Sequence, residues 1–166
     1  EREEVGFHTF VSSALHHCSE PVAFVPLHLP MLPMYRGGQR DGTNAFIYSR
    51  FLIPYLQNYK GWALFVDGAD MIVKGDLAEL WALRDKTKAV QVVKHDYKTK
   101  HPRKYVGTQM EADNRDYPCK NWSSVMLINC EHPSWRRITP EVVETMSGAE
   151  LHRFAFIAPE NVGELP

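Results

Sequence analysis

Five apolar residues in a row, Trp62-Ala63-Leu64-Phe65-Val66, run straight into an acid, Asp67. A run of that kind has no polar face, so as a strand it belongs in the middle of an α/β sheet, covered on both sides. The carboxyl ends of such strands are where open α/β sheets bind ligands. A carboxylate delivered there from a buried strand is costly unless something cationic meets it. Gly68-Ala69 makes a tight turn and Asp70 follows, so two carboxylates can converge on one hard cation. Oxygen donors suit Mg²⁺ or Mn²⁺, and such an ion bridges a diphosphate and neutralises the charge that develops as it leaves. Spacing alone leaves a second reading open, in which both acids cap a turn, because Asp-Gly is a common turn pair.

Around this run the chain alternates helical and strand patterns, which predicts an α/β domain with a largely parallel sheet. Phe7, Phe10, Val11, Leu15 and Cys18 keep helical spacing and predict an amphipathic helix over 5–18. Val22 to Leu27 reads as a strand, and a Pro- and Gly-containing loop over 30–42 follows. A second helical pattern covers Ala45 to Leu56, interrupted by Pro54. Asp76 with Glu79 predicts a helix cap, Ala89–Val93 and Ser123–Asn129 predict strands, and Thr139-Pro140 predicts a helix start with Gly148 as its stop. Residues 95–121 are polar and aperiodic, and loops of that length are uncommon unless functional or disordered.

Composition excludes several classes. Hydrophobic residues make up 44% and charged residues 23%, with a formal net charge of −1. That is ordinary for a soluble domain, and no apolar run reaches the roughly 20 residues that span a bilayer. Basic residues form no stripe suited to nucleic acid. A local cluster over Lys94–Lys104 reads as a solvated loop or as a phosphate contact. Three cysteines without a C-x-x-C pattern predict reduced thiols and a cytoplasmic setting. No Walker or dinucleotide glycine loop, H-E-x-x-H or G-x-S-x-G appears.

Three blocks together carry a resemblance: Tyr48-Ser49-Arg50-Phe51-Leu52-Ile53-Pro54-Tyr55-Leu56; then Ala63-Leu64-Phe65-Val66-Asp67-Gly68-Ala69-Asp70-Met71-Ile72-Val73; then Asn121-Trp122-Ser123-Ser124-Val125-Met126-Leu127-Ile128-Asn129. In that order they resemble glycosyltransferase family eight. The resemblance implies a GT-A (Rossmann-like) fold, a mostly parallel sheet flanked by helices. It covers roughly residues 20–130, within residues 1–166 read as a single nucleotide-sugar transferase domain. A helix rather than a strand opens the chain, so the first strand and a C-terminal segment are expected to lie outside it.

By position, the resemblance implies that Asp67 and Asp70 hold Mn²⁺ or Mg²⁺ and the donor diphosphate, and that Arg50 contacts the donor. An arginine fork matches phosphate oxygens. The substrate-binding candidates are Tyr48, Arg50, Gly68, Ala69, His95, Asn121, Ser123, Ser124 and His152, and the catalytic candidates are Asp67, Asp70 and Arg50. The family motif has one residue between its acids, whereas Gly68 and Ala69 make two here. The family's later acid-and-glutamine pair and its Gly-x-x-Lys-Pro-Trp block are not evident. The implied reaction moves a sugar from a nucleotide-diphosphate donor, of the UDP type, to an acceptor hydroxyl on a glycan, lipid or small molecule, with retention at the anomeric carbon. The rival readings are a non-catalytic nucleotide-sugar-binding module and a haloacid-dehalogenase-like phosphatase.

Overall fold

The computed structural model describes residues 2–32, 46–67, 70–108, 111–114 and 116–166. The chain opens with α1 (Arg2–His17), close to the helix predicted over 5–18. Its buried side centres on Ala14, while Leu15, expected on that side, is 59% exposed. Phe10 packs edge-on against Phe24, and Ser13 Oγ accepts the Val73 N–H at 2.9 Å. The strand expected at Val22–Leu27 does not form. Pro26 removes an N–H donor from within that stretch and Pro21 another just before it, which disfavours ladder pairing there.

The second helical pattern is broken into α2 (Phe46–Ser49), a 3₁₀ turn at Arg50–Leu52 and α3 (Ile53–Leu56). Pro54 has no N–H to offer the Arg50 carbonyl one turn back, so the α ladder cannot continue there and tightens instead. The broken segment is not superficial: Tyr48 through Ile53 are all buried.

Next come β1 (Trp62–Val66), α4 (Leu77–Ala82) and β2 (Val90–Val92). Asp76 caps α4 through the Ala78 N–H at 2.9 Å, as predicted. The long polar segment carries a small hairpin, β3 (Arg103–Lys104) with β4 (Ala112–Asp113). Then follow β5 (Val125–Asn129), α5 (Pro140–Thr145), α6 (Gly148–His152) and β6 (Val162–Glu164). Thr139 caps α5 with Pro140 in its first turn, as the sequence predicts. Gly148, expected to stop that helix, instead opens α6 under a capping box formed by Ser147 and Glu150.

The four-stranded sheet has the order β1-β5-β2-β6. It is mixed, not mostly parallel: β5 runs antiparallel to both β1 and β2, and only β2 and β6 pair in parallel. The reason lies in the segment between β2 and β5. Val92 lies opposite Met126, so the segment leaves and re-enters the sheet at one end. A return at the same end gives an antiparallel neighbour without a crossover. β1, expected in the centre, is an edge strand of this sheet and half-buried throughout. The fully buried positions belong to β2 and β5, and Trp135 closes the core beneath them, donating from Nε1 to the Ala89 carbonyl at 3.0 Å. This topology brings the carboxyl ends of β1, β2 and β6 and the amino end of β5 to one end of the sheet.

Candidate functional site

At that end sits Arg50, only 4% exposed. The 3₁₀ turn imposed by Pro54 places it inside the fold, and its guanidinium reaches three separate segments. Nε donates to the Ile47 carbonyl at 3.0 Å, Nη1 to the Ser123 carbonyl at 2.9 Å, and Nη2 to Asp67 Oδ2 at 3.0 Å. The fork also lies over the Phe65 ring, 4.8 Å from its centroid. Burial holds the guanidinium below its ordinary pKa, and the Asp67 carboxylate opposes that shift.

Asp67 follows β1 directly, and its N–H donates to the Ser124 carbonyl at 2.9 Å, which extends the β1–β5 ladder by one rung. Its carboxylate is 41% exposed, so one side meets Arg50 and the other faces solvent. Asp70 is exposed on the turn beyond. Gly68 and Ala69, also predicted for this site, lie outside the described residues. Among the described residues, no three His, Cys, Asp or Glu side chains converge as a metal cage. Two carboxylates with solvent access still match the donor set of Mg²⁺-type ions, which keep several waters and complete their shell with phosphate oxygens.

Ser123 and Ser124 enter from the other side. Asn121 adopts φ 65°, a left-handed conformation that asparagine tolerates, and turns the chain into the 3₁₀ turn Trp122–Ser124. Ser123 is 3% exposed. Its Oγ shares a 2.5 Å hydrogen bond with His152 Nδ1, and the His152 ring stands edge-on to Phe51. Arg50, Asp67, Ser123, Ser124 and His152 therefore form one contiguous network. Tyr48 is buried in the hydrophobic core. His95 is exposed, and its contribution is its backbone carbonyl, which accepts from Trp122 Nε1 at 3.3 Å.

Sequence reasoning missed Phe65 and Tyr117. Phe65 was read only as strand filling, yet it supplies the face on which Arg50 rests. Tyr117 is half-buried within electrostatic reach of Arg50 and Arg153, and burial raises its phenol pKa. It lies in the aperiodic stretch over 95–121, where no spacing signal could single it out.

The model for glycosyl transferase family 8 matches residues 38–157, a span that contains this whole network. The chain belongs to glycosyl transferase family 8. It is also similar to Protein CDI of Arabidopsis thaliana, 38% identical over 170 residues, a match covering 99% of this chain and 63% of that protein. The chain thus spans less than two thirds of that relative's length. No solved structure matches. Membership of this family supports the glycosyltransferase reading over the phosphatase alternative. Among the described residues, no helix is long and apolar enough to cross a membrane.

Proposed function

We propose that this domain transfers a sugar from a nucleotide-diphosphate donor of the UDP type to an acceptor hydroxyl, with retention at the anomeric carbon. The observation that carries the reading is the Arg50–Asp67 pair at the carboxyl end of β1, in a family 8 chain. Asp67 and Asp70 would hold Mn²⁺ or Mg²⁺ together with the diphosphate. When bound, the ion supplies charge neutralisation for the departing nucleoside diphosphate.

The chain's own residues supply position and field. Arg50 is immobilised by three hydrogen bonds before any ligand arrives, so its positive charge stands at the site without reorganisation. It also fixes Asp67, because Oδ2 is committed to Nη2 and the carboxylate cannot rotate freely. Asn121 and Ser124 border the same end of the sheet and would meet sugar hydroxyls, with the buried Ser123 behind them. His152 holds the Ser123 hydroxyl in one orientation. The contribution of such a site is orientation and electrostatic stabilisation.

Calorimetric titration of UDP, with and without Mn²⁺, tests this. Wild type should bind UDP with Mn²⁺, and Asp67→Ala/Asp70→Ala should lose the Mn²⁺-dependent part. UDP binding that ignores both Mn²⁺ and the double substitution would overturn the metal–diphosphate assignment. Binding followed by no turnover of any UDP-sugar would favour a non-catalytic nucleotide-sugar module on the same fold.

A further inference from the structure

His152 reaches the Arg50 network from a separate part of the fold, and its own place is well fixed. It stands on α6, with Leu151 just before it and Phe154 two positions on, 0% and 1% exposed. Phe51 packs edge-on against both rings, 5.3 Å from His152 and 6.2 Å from Phe154 between centroids. The capping box of Ser147 and Glu150 secures the start of the same helix. The imidazole is therefore presented from a rigid support.

What it holds is less rigid by itself. Ser123 lies in the 3₁₀ turn Trp122–Ser124, entered through the left-handed Asn121. The backbone bonds of that turn are long: the Trp122 N–H donates to the Cys119 carbonyl at 3.2 Å and the Ser124 N–H to the Asn121 carbonyl at 3.3 Å, at or past the upper end of the usual range. The bond between Ser123 Oγ and His152 Nδ1 is far shorter, 2.5 Å. It forms in either tautomer, because a hydroxyl can donate to a bare ring nitrogen or accept from its N–H. The Ser123 carbonyl accepts from Arg50 Nη1 at 2.9 Å, and Arg50 Nη2 donates to Asp67 Oδ2 at 3.0 Å. Four side chains thus form an unbroken series from α6 to the end of β1.

We propose that His152 is a positioning residue for the Asp67 carboxylate, acting through Ser123 and Arg50. This rests on the reading above, in which Asp67 meets the metal and the diphosphate. One ring braces Arg50 on two sides. It ties down Ser123, which supplies a carbonyl to the guanidinium, and it packs on Phe51, the next residue in the chain. Without the imidazole, the turn carrying that carbonyl regains freedom, and Nη1 loses a fixed acceptor. Nη2 then follows Asp67 instead of setting it. Groups one layer behind a metal ligand change metal affinity by about 10–100-fold when removed. His152 needs no contact with the donor to do this.

The test uses the full chain with His152→Leu, His152→Asn, Ser123→Ala and the double variant His152→Leu/Ser123→Ala. Asparagine places a polar atom where Nδ1 stands, and leucine does not. In calorimetry of UDP with Mn²⁺, His152→Leu and Ser123→Ala should each weaken binding by about tenfold. The double variant should be no worse than either single one, because both cut the same bond. His152→Asn should stay within about twofold of wild type. With no ligand present, exchange of the Arg50 side-chain N–H protons, followed by NMR, should quicken in His152→Leu and Ser123→Ala but not in His152→Asn. Ser123→Ala removes only a hydroxyl, so it decides the matter if His152→Leu does not fold. Wild-type affinity in both single variants overturns the positioning role, as do losses that add in the double variant or an asparagine variant that melts like wild type without rescue. A loss in His152→Leu alone, with Ser123→Ala like wild type, overturns it too and makes His152 a direct ligand contact. If the wild type binds no UDP, the donor reading falls, and the Arg50 exchange rates then decide the positioning role alone: quickened in both variants it stands, unchanged it is overturned.

Discussion

Arg50 and Asp67 show one ion pair serving fold and site together. Removing one partner of a buried pair costs more than the pair contributes, because it strands the other charge. Asp67→Asn would leave the 4%-exposed Arg50 without a counter-charge. Since Asp67 is itself 41% exposed and solvent shares its field, the expected loss is about 1–3 kcal/mol. For a chain of this size that lowers Tm by roughly 3–10 °C. Asp70 is exposed, so Asp70→Asn should stay within about 0.5 kcal/mol of wild type. Both substitutions should weaken Mn²⁺-dependent UDP binding. Thermal melts and titrations on the two variants therefore separate the roles. An unchanged melt for Asp67→Asn would mean that Arg50 does not depend on its carboxylate. Unchanged UDP affinity for Asp70→Asn would remove Asp70 from the metal site.

At the scale of elements, β5 makes a prediction through the residue that follows it. Cys130 is fully buried, and its N–H donates to the Gly61 carbonyl at 3.0 Å. Burial, with Glu131 nearby, pushes its thiol up to about 12 from the ordinary 9.0. A raised pKa in the fold means the neutral thiol is favoured there, so its contribution is complete below pH 9 and fades as pH rises toward 12. Urea titrations should show stability declining across that interval, with a shallower decline in Cys130→Ala. A thiol reagent near neutral pH should modify the half-buried Cys18 and Cys119 well before Cys130. Rapid labelling of Cys130 would contradict this packing. The elements also show where sequence stops being legible. Caps at Asp76 and Thr139 and the break at Pro54 are local chemistry, written in adjacent residues, and they form as read. The failed strand at Val22–Leu27 was apolar enough, but strand formation needs a partner, and periodicity does not report one. Arg50, Asp67 and Ser123 could be picked out as types and blocks. Their convergence depends on β5 pairing antiparallel with β1, which no local pattern encodes. Tyr117 stayed invisible for the same reason, since Arg50 and Arg153 are distant from it in sequence.

For the whole molecule, the question is whether the last strand is integral to the sheet that presents the site. β6 pairs in parallel with β2, setting Gly163 opposite Gln91 and Glu164 opposite Val92. A Cβ on Gly163 would come within 2.7 Å of Gln91 Cγ and 3.0 Å of Lys88 Cγ. Lys88 can swing aside. Gln91 cannot do so freely, because it is 5% exposed and its amide is committed at both ends. Oε1 accepts the Asp85 N–H at 2.7 Å, and Nε2 donates to the Leu83 carbonyl at 2.8 Å. Gly163→Ala must therefore either break those bonds or spread β6 from β2, at a cost of about 1–3 kcal/mol. The damage would not stay at the edge. Glu164 pairs with Lys94 at 3.9 Å, and the Leu165 N–H donates to the Val92 carbonyl at the end where Asp67 and Ser124 meet. Gly163→Ala should lower Tm, and hydrogen exchange should speed up at the Leu165 amide and through β2. A melt indistinguishable from wild type, with Leu165 still protected, would show that β6 accommodates a methyl group there and that the close approach to Gln91 does not constrain the sheet. Loss of protection confined to β6, with β2 and Asp67 unaffected, would instead make the strand a peripheral addition to a three-stranded core that holds the Arg50 network by itself.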